Sequence, residues 1–192
     1  RARLRAGGDT ARAVLARGEL AAAALRAMLD GASAIIERHE LAGVGAVAPA
    51  PGAIELLGAL RAAGGTVAIV TSNSSRTIEA WMRAHETRSL VDVIVGRDSG
   101  LALKPSPAMV ERVLEACDVA PADAAFVGDS EADFGAAAAA EVRFYGVNAR
   151  VEGRDRLSAL GASPVFSSPA AMAIYFNLLD PPMGHKSIGR SE

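Results

Sequence analysis

From about residue 54 onward, short β-branched runs alternate with helix-favouring stretches, and this alternation constrains the fold more than any other feature of the chain. When strands and helices alternate in sequence, the crossover helices return the chain to the same end of the sheet, so the strands pair in parallel and the helices cover them. Residues 54–63 read as a helix stopped by Gly64 and Gly65, and residues 66–70 (TVAIV) as a buried strand. A polar loop, 71–75 (TSNSS), leads into a helix through Arg83, and 91–95 (VDVIV) is the second strand. Ser106 and Pro107 have the chemistry of a helix N-cap and first helical residue, so another helix is expected to open there. Residues 124–127 (AAFV) form a third strand ending at Gly128-Asp129, followed by an alanine-rich helix through Ala140. Residues 143–147 (RFYGV) and 164–167 (PVFS) complete five expected strands. The fold class is therefore α/β, a parallel sheet flanked by helices.

Residues 1–43 differ, being rich in alanine, leucine and arginine, which favours helix. Two helices broken near Gly18 are expected, with Leu25, Leu29, Ala32 and Ile36 forming one apolar stripe. The segment 43–52 (GVGAVAPAPG) has the small-residue, glycine and proline composition of a connector, so a subdomain boundary is expected there. The polar, proline-containing segment from Asp180 is expected to be a mobile tail. With 51% hydrophobic and 22% charged residues the chain has ample material for a core, which excludes global disorder. A net charge of -2 gives no electrostatic footprint for nucleic acid or an anionic membrane surface. Residues 20–36 are interrupted by Arg26 and Asp30 and are too short to span a bilayer, and no basic-then-apolar leader precedes them. The lone Cys117 shares a helix face with Val110, Val113 and Leu114; it reads as a core residue in a reducing compartment, and the cytoplasm is the expected location.

In an open α/β sheet, ligands bind beyond the carboxyl ends of the strands. Three groups stand there: Thr71-Ser72-Asn73, Lys104-Pro105, and Gly128-Asp129-Ser130-Glu131-Ala132-Asp133. Asp129 and Asp133 lie one helical turn apart and could hold one hard cation, because magnesium takes oxygen ligands and is commonly bound by one or two carboxylates with a substrate phosphate. They could equally be a helix cap and a macrodipole contact. Lys104 is one of only two lysines, with Lys186, in a chain that otherwise uses arginine. A compact ammonium suits a phosphoryl oxygen at close range, although a solvated loop position is the commoner fate of a lysine. Thr71, with the hydroxyls and N–H groups of Ser72 and Asn73, could cradle a phosphate or simply form a strand-to-helix turn. Their combination, each at a strand end, is far more specific than any one of them.

On these residues the chain resembles the haloacid dehalogenase superfamily, and more narrowly its phosphoglycolate phosphatase-like branch. The stretch 51–73 (PGAIELLGALRAAGGTVAIVTSN) resembles the run into the second motif, Lys104-Pro105 the third, and VGDSEAD from Val127 the acidic fourth. The resemblance implies a Rossmann-like core over residues 46–180, a remnant of a helical cap over 1–45, and a flexible tail over 181–192. It implies a Mg²⁺-dependent phosphatase acting on a small phosphorylated metabolite, in which an aspartate attacks the phosphate and water hydrolyses the aspartyl-phosphate. By resemblance, Thr71 hydrogen-bonds a phosphoryl oxygen and Lys104 bridges nucleophile and phosphate. Asp129 binds Mg²⁺, and Asp133 helps to hold that site.

The first motif of that superfamily, an apolar strand ending in Asp-x-Asp that supplies the nucleophile, does not occur in this chain. Asp9 follows Gly7-Gly8 with no strand before it, and Asp92 and Asp98 lack the second aspartate. Because that strand is central in the superfamily's sheet, a gap in the middle of the fold is expected. With Arg1 in place of an initiator methionine, a chain shortened at its N-terminus is the expectation. Dehalogenation is disfavoured by GDSEAD at the fourth motif, whereas a sugar-phosphate mutase shares the three motifs present. The rival from another class is a catalytically inactive binding or regulatory module. Gly184-His185-Lys186-Ser187 lacks the upstream glycine and strand of a P-loop, and His39, His85 and His185 have no zinc spacing.

Overall fold

The computed structural model describes the backbone of residues 2–179 and the side chains of residues 18–179, so the segment expected to be a tail lies outside the described residues. The chain divides into two units, one ending at Gly43 and one starting at Val44.

The first unit is a single helix, α1 (Ala2–Gly43), not the two helices expected. A glycine inside a helix costs about 1 kcal/mol against alanine, less than stopping and renucleating in flanks that favour helix so strongly. The expected stripe is present but exposed: Leu25, Leu29, Ala32 and Ile36 all lie at the surface.

The second unit holds α2 (Ala53–Ala62), β1 (Ala68–Val70), α3 (Ser75–Ala84), β2 (Val93–Val95) and α4 (Ala108–Cys117). It continues through β3 (Ala125–Gly128), α5 (Glu131–Ala139), β4 (Arg143–Val147), α6 (Val151–Ala159), β5 (Val165–Phe166) and α7 (Pro169–Tyr175). All five expected strands are present, and each pairs in parallel. They form two sheets, β1-β2 and β3-β4-β5, with no ladder between β1 and β3 among the described residues. In the first, Ile69 pairs with Ile94; in the second, Phe126 pairs with Phe144 and Val147 with Phe166.

Apolar residues on the strands account for where the helices sit. Val67, Met82 and Val91 pack with Ile69, Ile78 and Ile94, fixing α3 against the first sheet. Val110, Ala136, Ala140 and Val142 join α4 to α5, and Ala137, Phe144 and Leu157 join α5 and α6 to the second sheet. Met82, Met109 and Leu157 are no more than 1% exposed. Each such side chain contributes about 2 kcal/mol of transfer free energy, so α3, α4 and α6 are each pinned by at least one anchor. Helix α4 begins one residue later than expected: Pro107 is the N-cap, in a helical conformation with no side-chain cap, while the Ser106 hydroxyl accepts from Ala108 N–H at 3.4 Å. Among the described residues, no helix is long and apolar enough to cross a membrane.

Candidate functional site

The end of β3 shows how local sequence builds a site. A Cβ on Gly128 would lie 2.5 Å from Asp133 Cβ, so only glycine lets the first turn of α5 fold back over the strand end. Ser130 caps α5 and forms a capping box with Asp133. Asp133 Oδ2 accepts from the Ser130 hydroxyl at 2.6 Å, from Ser130 N–H at 3.2 Å and from Asp129 N–H at 3.3 Å. Its other oxygen accepts from Lys104 Nζ at 2.5 Å.

Lys104 reaches this carboxylate from the loop before α4, and its ammonium also donates to the Val70 carbonyl, the last residue of β1, at 3.2 Å. The Phe126 ring of β3 lies 5.8 Å from Nζ. The side chains of Lys104 and Asp133 are only 11% and 8% exposed. Burial pushes the Asp133 carboxyl up, but the hydrogen bonds from Lys104 and Ser130, the Lys104 charge and the Asp129 N–H outweigh it and hold its pKa below the usual range. One lysine thus ties the carboxyl end of the β1-β2 sheet to that of the β3-β4-β5 sheet.

Thr71 follows β1 and donates its N–H to Val95 O at 3.0 Å. Its hydroxyl oxygen accepts from Asn73 N–H at 3.1 Å, which occupies one of the N–H groups expected in a phosphate cradle. Ser72 and Asn73 are exposed, and their carbonyls accept from the Arg97 side chain at 2.6 Å and the Arg97 N–H at 2.9 Å. The next turn is closed by Asp98, whose carboxylate accepts from Ser75 N–H at 2.7 Å. Burial pushes the Asp98 carboxyl up, but the Ser75 backbone and side-chain hydrogen bonds, helped by the adjacent Arg97 charge, bring it below the usual range. The loop 96–98 therefore braces the loop 71–75, a role that no spacing in the sequence marked.

Asp129 directly follows β3, at the start of the turn into α5. It is exposed, and its carboxylate makes no hydrogen bond or ion pair among the described residues. It lines a cavity of about 230 Å³ with Ser130, Glu131, Asn148, Arg156 and Leu157. Thr71 and Lys104 do not line that cavity; they are joined to it through Lys104's bonds to Val70 and Asp133. The donor set suits a hard cation only in a particular form. Asp133 Oδ2 serves three protein donors and Oδ1 serves Lys104, so of the expected Asp129/Asp133 pair Asp129 is the more open carboxylate. No group of three or more metal-ligating side chains occurs among the described residues. The unengaged Asp129 carboxylate fits an oxygen-seeking cation that keeps most of its water, as magnesium does.

The fold and these strand-end residues define the class. The chain belongs to the haloacid dehalogenase-like hydrolase family, whose family model matches residues 23–147. It is 38% identical over 109 residues to a phosphoglycolate phosphatase of Nitrosospira multiformis, covering 55% of this chain and 47% of that protein. It is 32% identical over 89 residues to an (S)-2-haloacid dehalogenase of a Pseudomonas species, covering 46% of this chain and 39% of that one. A crystal structure of a hydrolase of this family from Deinococcus radiodurans, with bound phosphate and sodium, superposes with a TM-score of 0.65 at 27% identity, covering 73% of this chain and 66% of that one. The chain spans about half the length of the curated relatives it matches.

Proposed function

We propose that the protein works as a Mg²⁺-dependent phosphatase for small phosphate monoesters, through an aspartyl-phosphate whose nucleophile is not among these 192 residues. The observation that carries this reading is the Lys104 ammonium, held nearly buried between the end of β1 and the Asp129–Asp133 turn. An ammonium has three donors, and two are used by Val70 O and Asp133 Oδ1, so one remains for a ligand oxygen. Thr71 Oγ1 accepts from Asn73 N–H, which leaves its own O–H free to donate to a phosphoryl oxygen. Asp129 is the cation ligand, and Asp133 acts behind it by holding the lysine and the turn. A divalent cation bound at Asp129 would supply positive charge toward a phosphoryl group. Phosphoryl transfer depends mostly on such positioning and neutralisation, which a lysine, a hydroxyl and one carboxylate can provide. A dianionic phosphate makes fuller use of these donors than a haloacid does, which favours the phosphatase over the dehalogenase it also resembles. Within this reading residues 1–45 are the cap remnant, residues 46–180 the core, and the cytoplasm the place of work.

Turnover of an aryl phosphate tests it. The 192-residue chain alone should show none, and a longer chain that adds an apolar strand ending in Asp-x-Asp should show turnover that stops when Mg²⁺ is chelated. In that longer chain, Lys104→Met and Asp129→Ala should each lower kcat roughly 100-fold or more. Robust turnover by the 192-residue chain, or metal-independent turnover after Asp129→Ala, would overturn the assignment.

A further inference from the structure

We infer that Asn148 is a positioning residue that aims Asp129, a role resting on the proposal that Asp129 holds the cation. Asn148 follows β4, and its backbone is fixed because its N–H donates to Phe166 O of β5 at 2.9 Å. Its side chain is held at three points. Nδ2 donates to the Asp129 carbonyl at 3.1 Å, and Oδ1 accepts from Arg150 N–H at 3.0 Å. The carboxamide also lies on buried Gly153, where a Cβ would come within 2.4–2.5 Å of Asn148 Cγ, Nδ2 and Oδ1. The donor and acceptor ends are not interchangeable, because one faces a carbonyl and the other an N–H.

The effect on Asp129 follows from peptide geometry. The Asp129 carbonyl and the Ser130 N–H belong to one planar peptide, gripped by Asn148 on the oxygen and by Asp133 Oδ2 on the hydrogen. The preceding peptide is gripped through Asp129 N–H, again by Asp133 Oδ2. Both planes flanking Asp129 are therefore fixed, and with them φ, ψ and the direction of Cβ. For a carboxylate that makes no contact of its own, the backbone in this way sets the point and direction from which the side chain leaves. Asn148 supplies a side-chain part of that grip from outside the 128–133 turn, beside the pairing of Gly128 with Gly146.

Amide hydrogen exchange on the 192-residue chain, with Mn²⁺ titration as a second readout, tests this. Asn148→Asp keeps the acceptor for Arg150 N–H but turns an oxygen toward the Asp129 carbonyl; Asn148→Ala removes both bonds. Loss of one hydrogen bond should speed exchange at Ser130 N–H about 10-fold in both variants, and residues that act behind a metal ligand typically alter metal affinity about 10-fold or more. If Asn148→Asp exchanges as the unaltered chain does, the residue only closes the turn before α6 and the inference fails. If Asn148→Asp binds Mn²⁺ normally while Asp129→Ala does not bind it, the aiming role fails and the cation assignment stands. If Asp129→Ala binds Mn²⁺ as well as the unaltered chain, the cation assignment fails, and the exchange rates still decide whether Asn148 clamps the turn.

Discussion

At the scale of single residues, the Lys104–Asp133 pair has the most to lose. Removing one partner of a buried ion pair strands the other, at a cost of about 3 kcal/mol or more; Lys104→Met should lie near the lower figure, because Ser130 and Asp129 still serve Asp133. The pair also sets a pH dependence. The folded pKa of Asp133 is depressed, so the unfolded chain takes up its proton first as pH falls. Its stabilisation is therefore complete above the unfolded carboxylate pKa and is lost over the acid range below it, as pH drops through the depressed folded value. Urea midpoints across that range should fall steeply for the unaltered chain and less steeply for Lys104→Met. Equal slopes would show that the lysine does not hold the carboxylate. The positions of Lys104 and Asp129 at strand ends were legible in the sequence, but the capture of both Asp133 oxygens was not, since Lys104 and Asp133 are separated by 29 residues and meet only through the fold.

At the scale of elements, periodicity and β-branching located every strand, because each strand is buried enough for its sequence to be apolar on at least one face. Two helices escaped the same reasoning. Helix α6 (VEGRDRLSA) is polar and carries Gly153, and its buried residues are Leu157 and that glycine, so no apolar stripe announces it. Helix α7 is seven residues long and rests on Met172 and Ala173. Gly18 is the opposite case, a weak helix former that reads as a boundary but lies inside α1. Gly18 has nothing within 4 Å of where its Cβ would be, so Gly18→Ala should meet no steric resistance. It should stabilise α1 by about 1 kcal/mol and raise the far-UV circular dichroism of the chain. A fall in helical signal would instead restore the break, since alanine is poorly suited to a turn that glycine makes.

At the scale of the whole second unit, the sheet is interrupted, and the interruption has an address. Four strand edges lack a partner among the described residues: those of β1 and β3, and the outer edges of β2 and β5. Lys104 distinguishes the first two from the others, because its ammonium touches the last residue of β1 and, through Asp133, the turn after β3. Ala125 and Val127 of β3 are exposed, apolar residues on a strand with one free edge, the arrangement that sheets ordinarily bury or blunt. A parallel strand placed between β1 and β3 would pair both edges, cover Val127 and bring its own carboxyl end to Lys104. A short apolar peptide ending in Asp-x-Asp, added to the chain, should therefore slow amide exchange along β1 and β3. It should also raise the melting temperature by about 2–4 °C for each kcal/mol of pairing gained. Protection confined to β2 or β5 would place the open position at an outer edge, where no lysine waits for a carboxylate, and would remove the structural reason for expecting the nucleophile between the two sheets.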